Sequence, residues 1–299
     1  MADHVGPTTR LRELLAEGCH AVPGTFNAAV ALLIERLGFP AVYASGAGIA
    51  NGVAGVPDIG LLTLTEVARQ AGYIAEAISL PVIADADTGF GEPLHVRRCV
   101  REFERAGVAG IHIEDQQSPK RCGHLAGKQL ISPEAMARKI AAATEARRDP
   151  NFVIIARTDA RGVLGLEDAI QRALLYREAG ADVIFPEGLE SAAEFAAFAR
   201  AVPGPLLANM TEFGRTPYLS VAEFSRLGYR LVIFPMTAFR VMMKAVEEAL
   251  RVLRASGTQQ TLLDRMQTRQ ELYDLLRYDD YSRWDARGAG LRPGAGKEA

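Results

Sequence analysis

The stretch FVIIARTD, residues 152–159, is the clearest of the segments that decide the fold. Five apolar residues follow one another without interruption, and three of them are β-branched. A continuous apolar run of this length, unlike an alternating one, is typical of a strand buried on both faces. Arg157 and Asp159 end the run at a spacing of two, which directs both side chains to one face. The stretch therefore predicts a buried strand with polar residues at its carboxyl end.

Seven further runs of this kind divide the chain, and helix-length segments separate them. They are CHAVPG (19–24), AVYASG (41–46), PVIADAD (81–87), GIHIED (110–115), DVIFPEG (182–188), PLLANM (205–210) and LVIFPM (231–236). The segment SPEAMARKIAAATEARR (132–148) begins with Ser132 as a helix N-cap, followed by Pro133. Eight strand–helix units predict a parallel sheet, and the count favours a closed (β/α)8 barrel. The alternative is an open, doubly wound sheet.

The residues after the eighth run exceed what a barrel needs. TLLDRMQTRQELYDLLRYDDY (261–281) predicts a further helix, and RGAGLRPGAGKEA (287–299) is rich in glycine and charge. Such a composition is typical of a disordered end. We therefore predict a catalytic barrel over residues 1–257, a C-terminal helical extension over 258–285 and a disordered tail over 286–299.

Charge and cysteine content bound the function class. The 299 residues include 34 basic and 36 acidic side chains, a balance that argues against nucleic-acid or membrane-surface binding. Three widely separated cysteines, Cys19, Cys99 and Cys122, form no disulfide framework and indicate a reducing, cytoplasmic setting. The N-terminal residues lack the apolar core of a secretion signal, so none is expected.

Polar residues follow most of the predicted strands at their carboxyl ends, where barrel enzymes carry out their chemistry. They are Tyr43, Ser45, Gly46, Asp85, Asp87, His112, Glu114, Arg157, Asp159, Glu187, Asn209 and Thr211. Asp85, Asp87 and Glu114 would concentrate negative charge on adjacent strands, and buried acids are costly unless they are paired or bound to metal. Oxygen ligands of this kind favour Mg²⁺. The alternative is a network of ion pairs with Arg157 and other basic groups.

The stretch PKRCGHLAGK, residues 119–128, places Cys122 between Lys120 and Arg121 on one side and His124 on the other. Positive neighbours lower the pKa of a thiol and make it reactive. The stretch lies in the long segment 116–131 after the fourth run, and long loops of this kind are commonly lids or binding loops. We expect Cys122 near the barrel mouth; the alternative is a surface thiol without a role.

Several stretches resemble the isocitrate lyase/phosphoenolpyruvate mutase superfamily. They are SGAGIANGVAGVPDIG (45–60), ADADTGFGEPLHV (84–96), IHIEDQQSPKRCGHLAGKQLIS (111–132) and MQTRQELYDLL (266–276). The resemblance extends from about Leu11 to Tyr281. KRCGH after an HIED strand is typical of the carbon–carbon lyase branch, and MQTR followed by ELY is similar to the methylisocitrate lyases within it.

The resemblance implies a (β/α)8 barrel whose last helix is exchanged between subunits of a homotetramer, a dimer of dimers. It also implies Mg²⁺, with Mn²⁺ as a substitute, and cleavage of (2S,3R)-2-methylisocitrate to pyruvate and succinate in propionate catabolism. The alternatives within the superfamily are isocitrate lyase, carboxyphosphonoenolpyruvate phosphonomutase, oxaloacetate hydrolase and 2,3-dimethylmalate lyase. A non-catalytic, dicarboxylate-binding barrel is the alternative outside enzymes.

Site residues follow from the same resemblance. Asp85, Asp87 and Glu114 match the metal shell, and Tyr43, Ser45, Gly46 and Asp58 match the site around the keto-acid half. Ala47 stands beside them where many relatives have glycine. Carboxylate-binding and supporting positions match Arg157, Glu187, Asn209 and Thr211. Cys122 matches the catalytic cysteine, flanked by Arg121, Gly123 and His124.

The residue types suit retro-aldol chemistry. Cys122 is the expected proton donor to the succinate carbanion, and Arg157, Asn209 and Thr211 are expected to stabilise negative charge. The base that removes the hydroxyl proton stays open among Tyr43, Glu114 and a metal-bound water. Phe185 and Ile233, at the ends of the sixth and eighth runs, are the expected apolar wall around the substrate methyl group.

Overall fold

The computed structural model describes residues 5–121, 123 and 127–288. The chain divides into two compact units, Met1–Val241 and Met242–Ala299. The first unit contains all eight strands that the sequence predicts, so the strand assignments are confirmed. The strands are β1 (His20–Thr25), β2 (Val42–Ala44), β3 (Val82–Asp85), β4 (Gly110–Glu114), β5 (Val153–Thr158), β6 (Val183–Pro186), β7 (Leu207–Asn209) and β8 (Leu231–Phe234).

The strands form one parallel sheet that closes on itself. Their order is β6-β5-β4-β3-β2-β1-β8-β7, and each neighbouring pair is parallel. A parallel bridge between Ile184 and Leu206 joins the two ends of this order. Closure confirms the (β/α)8 barrel and excludes the open, doubly wound sheet.

Helices alternate with the strands along the chain. They are α1 (Pro7–Glu17), α2 (Ala28–Arg36), α3 (Gly46–Ile49), α4 (Leu64–Ala77), α5 (Pro93–Arg105), α6 (Pro133–Ala146), α7 (Arg161–Leu164), α8 (Leu166–Glu178), α9 (Ala192–Ala201) and α10 (Val221–Arg226), and α11 (Thr237–Ser256) follows β8. A turn of π-helix, Ala50–Ala54, continues α3. Ser132 caps α6 as the sequence predicts, since its side chain accepts a hydrogen bond from the Ala135 N–H at 3.2 Å.

Helix α1 closes the barrel at the end where the strands begin, a position that the sequence did not predict. Its three leucines, Leu11, Leu14 and Leu15, are buried and belong to the same apolar cluster as the inward side chains of the strands. Arg12 holds the helix in place by donating to the carbonyl oxygens of Asn151 and Phe152, the two residues that immediately precede β5. The opposite end, where the strands finish, carries the polar residues.

The second unit is helical. It contains most of α11, a 3₁₀ helix (Gln260–Arg265), α12 (Arg269–Leu275) and α13 (Tyr278–Gly288). The extra C-terminal helices are therefore present, while the boundaries drawn at 257 and 285 stay predictions. Of the predicted disordered tail, residues 286–288 end α13, and 289–299 lie outside the described residues. In the part of the chain that the structure describes, no helix has the length and apolar character required to cross a bilayer.

Candidate active site

A cavity of about 230 Å³ opens at the carboxyl ends of the strands. Eleven of the residues predicted from the sequence line it together: Tyr43, Ser45, Ala47, Asp58, Asp85, Gly123, Arg157, Glu187, Asn209, Thr211 and Ile233. They come from seven of the eight strands or from the segments that follow them. The barrel thus gathers at one end side chains that are as far apart in the chain as Tyr43 and Ile233.

Other predicted residues lie beside the cavity or beneath it. Gly46 is buried against Asp85, and a Cβ atom there would lie 2.6 Å from the Asp85 Oδ2. Glu114 and Phe185 are fully buried below the floor, where the Phe185 ring contacts His112 and lies 5.1 Å from the Arg157 guanidinium carbon. Asp87 and Arg121 do not line it in the described structure. Cys122 and His124 lie outside the described residues.

Tyr43, His112 and Asp85 form a buried hydrogen-bonded group. The Tyr43 hydroxyl donates to the Asp85 Oδ2 at 3.3 Å and lies 2.8 Å from the His112 Nε2. Burial, together with the charge of Asp85, raises the pKa of Tyr43 well above its ordinary value. Burial also lowers the pKa of His112, although Asp85 opposes this. Tyr43 is therefore a neutral phenol that can donate a hydrogen bond, and burial disfavours the charged form of His112.

The three acids of the predicted metal shell differ in pKa. Burial raises the pKa of Asp85, but interactions with His112, Lys120 and Arg157 outweigh burial and bring it down to about 2. Burial and the charge of Asp85 raise the pKa of Asp87 to about 6, against the effect of Lys120. Burial raises the pKa of Glu114 well above its ordinary value. Ionisation is therefore most strongly favoured at Asp85, while burial opposes it at Asp87 and Glu114.

Lys120 links two of the acids around the cavity. Its ammonium forms an ion pair with Asp87 at 2.8 Å and another with Asp58, a residue 62 positions earlier in the chain. Glu114 is paired with Arg157, whose Nε lies 3.3 Å from the Glu114 Oε2. These contacts correspond to the ion-pair alternative that the sequence left open. Among the described residues, no group of three His, Cys, Asp or Glu side chains has the spacing of a metal site.

Carboxylate oxygens nevertheless remain for a hard cation. Within the described part of the chain, both oxygens of Glu114 are buried and have no hydrogen-bond partner, whereas the Oδ1 of Asp87 lies 2.8 Å from the Lys120 ammonium. Mg²⁺ binds through one or two protein carboxylates and completes its octahedron with water and substrate oxygens. The donor set of Asp85, Asp87 and Glu114 therefore fits Mg²⁺ in type, without a dedicated cage of three ligands.

Arg157 is the centre of the cationic side of the cavity. Its guanidinium donates to Asp159 through Nε at 2.9 Å and through Nη2 at 3.2 Å. Its Nη2 also lies 3.4 Å from Glu187, which accepts a hydrogen bond from the Asn209 side-chain amide at 3.0 Å. Such a bidentate brace fixes the plane of the guanidinium. Arg157 is therefore oriented before any substrate binds.

Seven residues that line the cavity were not among the predicted site residues: Asn51, Pro57, Ile59, Lys120, Pro235, Met236 and Arg240. Lys120 carried a signal, since it precedes the cysteine in KRCGH. Arg240 lies in α11, four residues after Met236, and its guanidinium packs against the Phe213 ring at 5.4 Å. A single arginine in a long helix has no sequence pattern that distinguishes it from a surface charge.

Comparison with known proteins gives one family over most of the chain. The family model described as phosphoenolpyruvate phosphomutase matches residues 11–254. A 2-methylisocitrate lyase of Aeropyrum pernix is 57% identical over 281 residues, which cover 94% of this chain and 90% of that protein.

Solved structures agree with this match. A 2,3-dimethylmalate lyase, described as a member of the PEP mutase/isocitrate lyase superfamily, superposes with a TM-score of 0.92 at 38% identity and covers 99% of each chain. A phosphonopyruvate hydrolase in complex with oxalate and Mg²⁺ superposes with a TM-score of 0.85 at 32% identity, over 94% of this chain and 98% of that one.

Proposed function

The chain belongs to the phosphoenolpyruvate phosphomutase family, and we propose that it cleaves (2S,3R)-2-methylisocitrate to pyruvate and succinate in propionate catabolism. The observation that carries the proposal is the convergence of eleven predicted site residues on one cavity at the carboxyl end of the barrel. The sequence identity of 57% to a 2-methylisocitrate lyase supports the choice of substrate. A fold alone would support only a family of related reactions.

Mg²⁺ is the proposed cofactor, held by Asp85, Asp87 and Glu114. The buried carboxylate oxygens that lack hydrogen-bond partners in the described structure support this assignment, as does the Mg²⁺ complex of a related hydrolase. When bound, the ion would act as a Lewis acid toward the oxygens of the keto-acid half. Lys120 would balance the remaining negative charge through Asp58 and Asp87.

The protein's own residues orient the substrate. Arg157 and Asn209 face the cavity with charged and amide donors, and both are held by Glu187. We propose that they bind the carboxylates of the succinate half and stabilise its developing negative charge. Tyr43 and Ser45 would donate hydrogen bonds to the keto-acid half. The raised pKa of Tyr43 favours a donor over a base in this role.

The bond between C2 and C3 breaks while the hydroxyl on C2 loses its proton and becomes the pyruvate carbonyl. The electron pair of the broken bond stays on the succinate half, which then takes a proton. Cys122 is the proposed donor, because it lies between Arg121 and Gly123 in the chain and Gly123 lines the cavity. A thiol with a pKa near the working pH can donate this proton and recover it. His124 would tune the thiol from beside it.

Specificity for the substrate methyl group is proposed to depend on the apolar side of the cavity. Ile233 lines it, as predicted, and Met236 and Pro235 follow on the same side of the barrel. Phe185 lies one layer deeper, where it supports Arg157 and His112 from below. We therefore assign direct contact with the methyl group to Ile233 and an indirect role to Phe185.

A homotetramer with exchanged C-terminal helices is also proposed. In the second unit, large apolar side chains along one face of α11 are exposed, namely Met243, Val246, Leu250 and Leu253. Exposed apolar faces of this size are typical of surfaces that another subunit covers. The cysteine content supports a cytoplasmic location.

A turnover assay on a panel of substrates tests the assignment. The panel consists of 2-methylisocitrate, isocitrate, 2,3-dimethylmalate, oxaloacetate and carboxyphosphonoenolpyruvate, each with Mg²⁺ and after chelation. We expect the highest kcat/KM on 2-methylisocitrate, at least roughly tenfold above isocitrate, because one pocket methyl contributes about 1–3 kcal/mol. Equal or better turnover of another substrate would transfer the assignment to that reaction. Full turnover after exhaustive chelation would remove Mg²⁺ from the mechanism.

A further inference from the structure

The segment between β4 and α6 is fastened to the barrel at both ends. Gln116 and Leu130 form an antiparallel bridge, and the Gln117 N–H donates to the Gln129 carbonyl at 2.8 Å. The Ile131 N–H donates to the Asp115 carbonyl at 3.0 Å. The two ends of the segment therefore pair as a short antiparallel stem. In the chain, the residues around position 122 lie between the two arms of this stem.

Gln116 reaches from this stem to the backbone before the cysteine. It is 1% exposed, and its side-chain amide makes both hydrogen bonds that a neighbouring strand would make. Its Nε2 donates to the Arg121 carbonyl at 2.8 Å, and its Oε1 accepts from the Arg121 N–H at 2.9 Å. The buried Gln116 side chain thus binds both the N–H and the carbonyl group of Arg121.

Lys128 does the same for the backbone after the cysteine. Its buried ammonium donates to the Gly123 carbonyl and forms an ion pair with the Asp159 Oδ1 at 2.8 Å. The same Asp159 carboxylate accepts the two hydrogen bonds from Arg157. A single carboxylate therefore links the guanidinium in the cavity to the lysine that holds Gly123.

Gly123 is packed so tightly that its position affects the cavity directly. A Cβ atom on Gly123 would lie 2.4 Å from the Arg157 Nη2 and 2.5 Å from the Glu187 Cγ, so no side chain fits there. Any shift of this backbone changes the space beside two residues that line the cavity. Buried ammonium groups are costly unless they are paired, and Lys128 is paired with the carbonyl and carboxylate that fix this contact.

We propose that Gln116 and Lys128 are positioning residues that clamp the backbone at Arg121 and Gly123 against Arg157 and Glu187. The consequence for catalysis rests on the proposed function; the clamp itself does not. Neither side chain lines the cavity in the described structure. Their effect is therefore expected on the arrangement of reacting groups and only weakly on substrate binding.

Gln116→Met and Lys128→Met test the clamp, since methionine retains much of each side-chain volume and removes the hydrogen bonds. Arg177→Met is the matched control. Arg177 also donates to backbone carbonyls in a partly buried setting, those of Ala181, Asp182 and Pro205, but at the opposite end of the barrel. All variants are compared at a temperature at which circular dichroism shows them folded.

Hydrogen exchange is the readout that does not depend on activity. We expect amide exchange in the peptide covering 116–131 to accelerate at least tenfold in Gln116→Met and Lys128→Met, and to stay within twofold of wild type in Arg177→Met. Unchanged exchange in both clamp variants would overturn the proposal, whichever substrate the enzyme uses.

Kinetics then test the consequence for the reaction. For the two clamp variants we expect kcat to fall by about 10²-fold, the order expected for a misplacement of about 1 Å. We expect KM to change less than threefold, and both parameters of Arg177→Met to stay near wild type. Accelerated exchange with unchanged kcat would show that the clamp has no catalytic role. Wild-type protein that turns over nothing in the panel would contradict the proposed function, and the exchange result would still decide the clamp.

Discussion

The two ends of the barrel use the same strands for opposite purposes. Where the strands begin, Leu11, Leu14 and Leu15 of α1 close the barrel with apolar contacts. Where they finish, many of the buried side chains are charged, and they contact one another and the segments that follow the strands. Ten buried charges in the described structure belong to this end: Asp85, Glu114, Asp115, Lys120, Lys128, Lys139, Arg157, Asp159, Arg172 and Glu187.

These ten groups comprise five acids and five bases, so their charges cancel when all ten are ionised. Apolar packing at the amino end tolerates any side chain of suitable volume and shape. A buried ion network tolerates little, because removing one member leaves its partner charged and desolvated. We infer that apolar packing at the amino end of the barrel stabilises the fold. The buried charges at the carboxyl end lower the free energy of unfolding but hold the site in a preorganised arrangement.

The largest expected effect is at Cys122. Cys122→Ser should bind substrate nearly normally and lose about 10²–10⁴-fold in kcat, because a serine hydroxyl is a far weaker acid than a thiol tuned by positive neighbours. Stability should change little. Steady-state kinetics and thermal unfolding measure the two quantities, with Cys19→Ser as the control. A serine variant with close to the wild-type kcat would show that the thiol is not the proton donor.

The strands were predictable because a strand buried on both faces has a continuous, β-branched sequence, as in residues 152–156. The polar ends were predictable because strand direction fixes which residues share the carboxyl edge, as for Asp85 and Glu114. Helix α1 was not assigned its place, since its leucine spacing shows an apolar face but not the barrel mouth that it covers. The pairing of Lys120 with Asp58 joins two loops that are distant in sequence. The position of Phe185 below Arg157, and not in the cavity wall, depends on how side chains of different strands pack inside the barrel. The local sequence around residue 185 does not show this packing.

Arg157 tests whether the carboxyl end can be changed without loss of stability. Arg157→Leu removes the partner of Glu114, Asp159 and Glu187, leaving five buried acids against four bases. The free energy of unfolding should fall by about 3–5 kcal/mol, and kcat/KM should fall at least about 10²-fold. Urea unfolding measures the change in free energy of unfolding. Steady-state kinetics, under conditions in which most of the variant is folded, measure the change in kcat/KM. If Arg157→Leu lost activity but kept the wild-type free energy of unfolding, the acids that Arg157 contacts would become protonated in the folded variant with little loss of stability.

Leu14 is the corresponding test at the amino end. Leu14 is 1% exposed and belongs to the apolar cluster that α1 shares with the inward side chains of the strands. Leu14→Ala therefore leaves a cavity and should lower the free energy of unfolding by about 2–5 kcal/mol. kcat and KM should remain within twofold of wild type at temperatures where the variant is folded. Leu37→Ala, at an exposed leucine on the outer surface, is the matched control and should change stability by less than about 0.5 kcal/mol. A drop in kcat for Leu14→Ala would show that the two ends are coupled.

The smallest effect is expected at Ser132, the N-cap of α6, which directly follows the segment 116–131 that contains Cys122. Its side chain accepts from the Ala135 N–H, so Ser132→Ala removes an N-cap and should cost about 1 kcal/mol of stability. Ser191 caps α9 in the same way, through the Glu194 N–H at 3.1 Å, and serves as the matched control. If the stem formed by Gln116 and Leu130 isolates the active-site segment from α6, both substitutions should lower the melting temperature by similar amounts and leave kcat unchanged. A loss of kcat in Ser132→Ala alone would mean that the start of α6 helps to hold that segment, and the division between stabilising and catalytic regions would then have to be drawn within the carboxyl end itself.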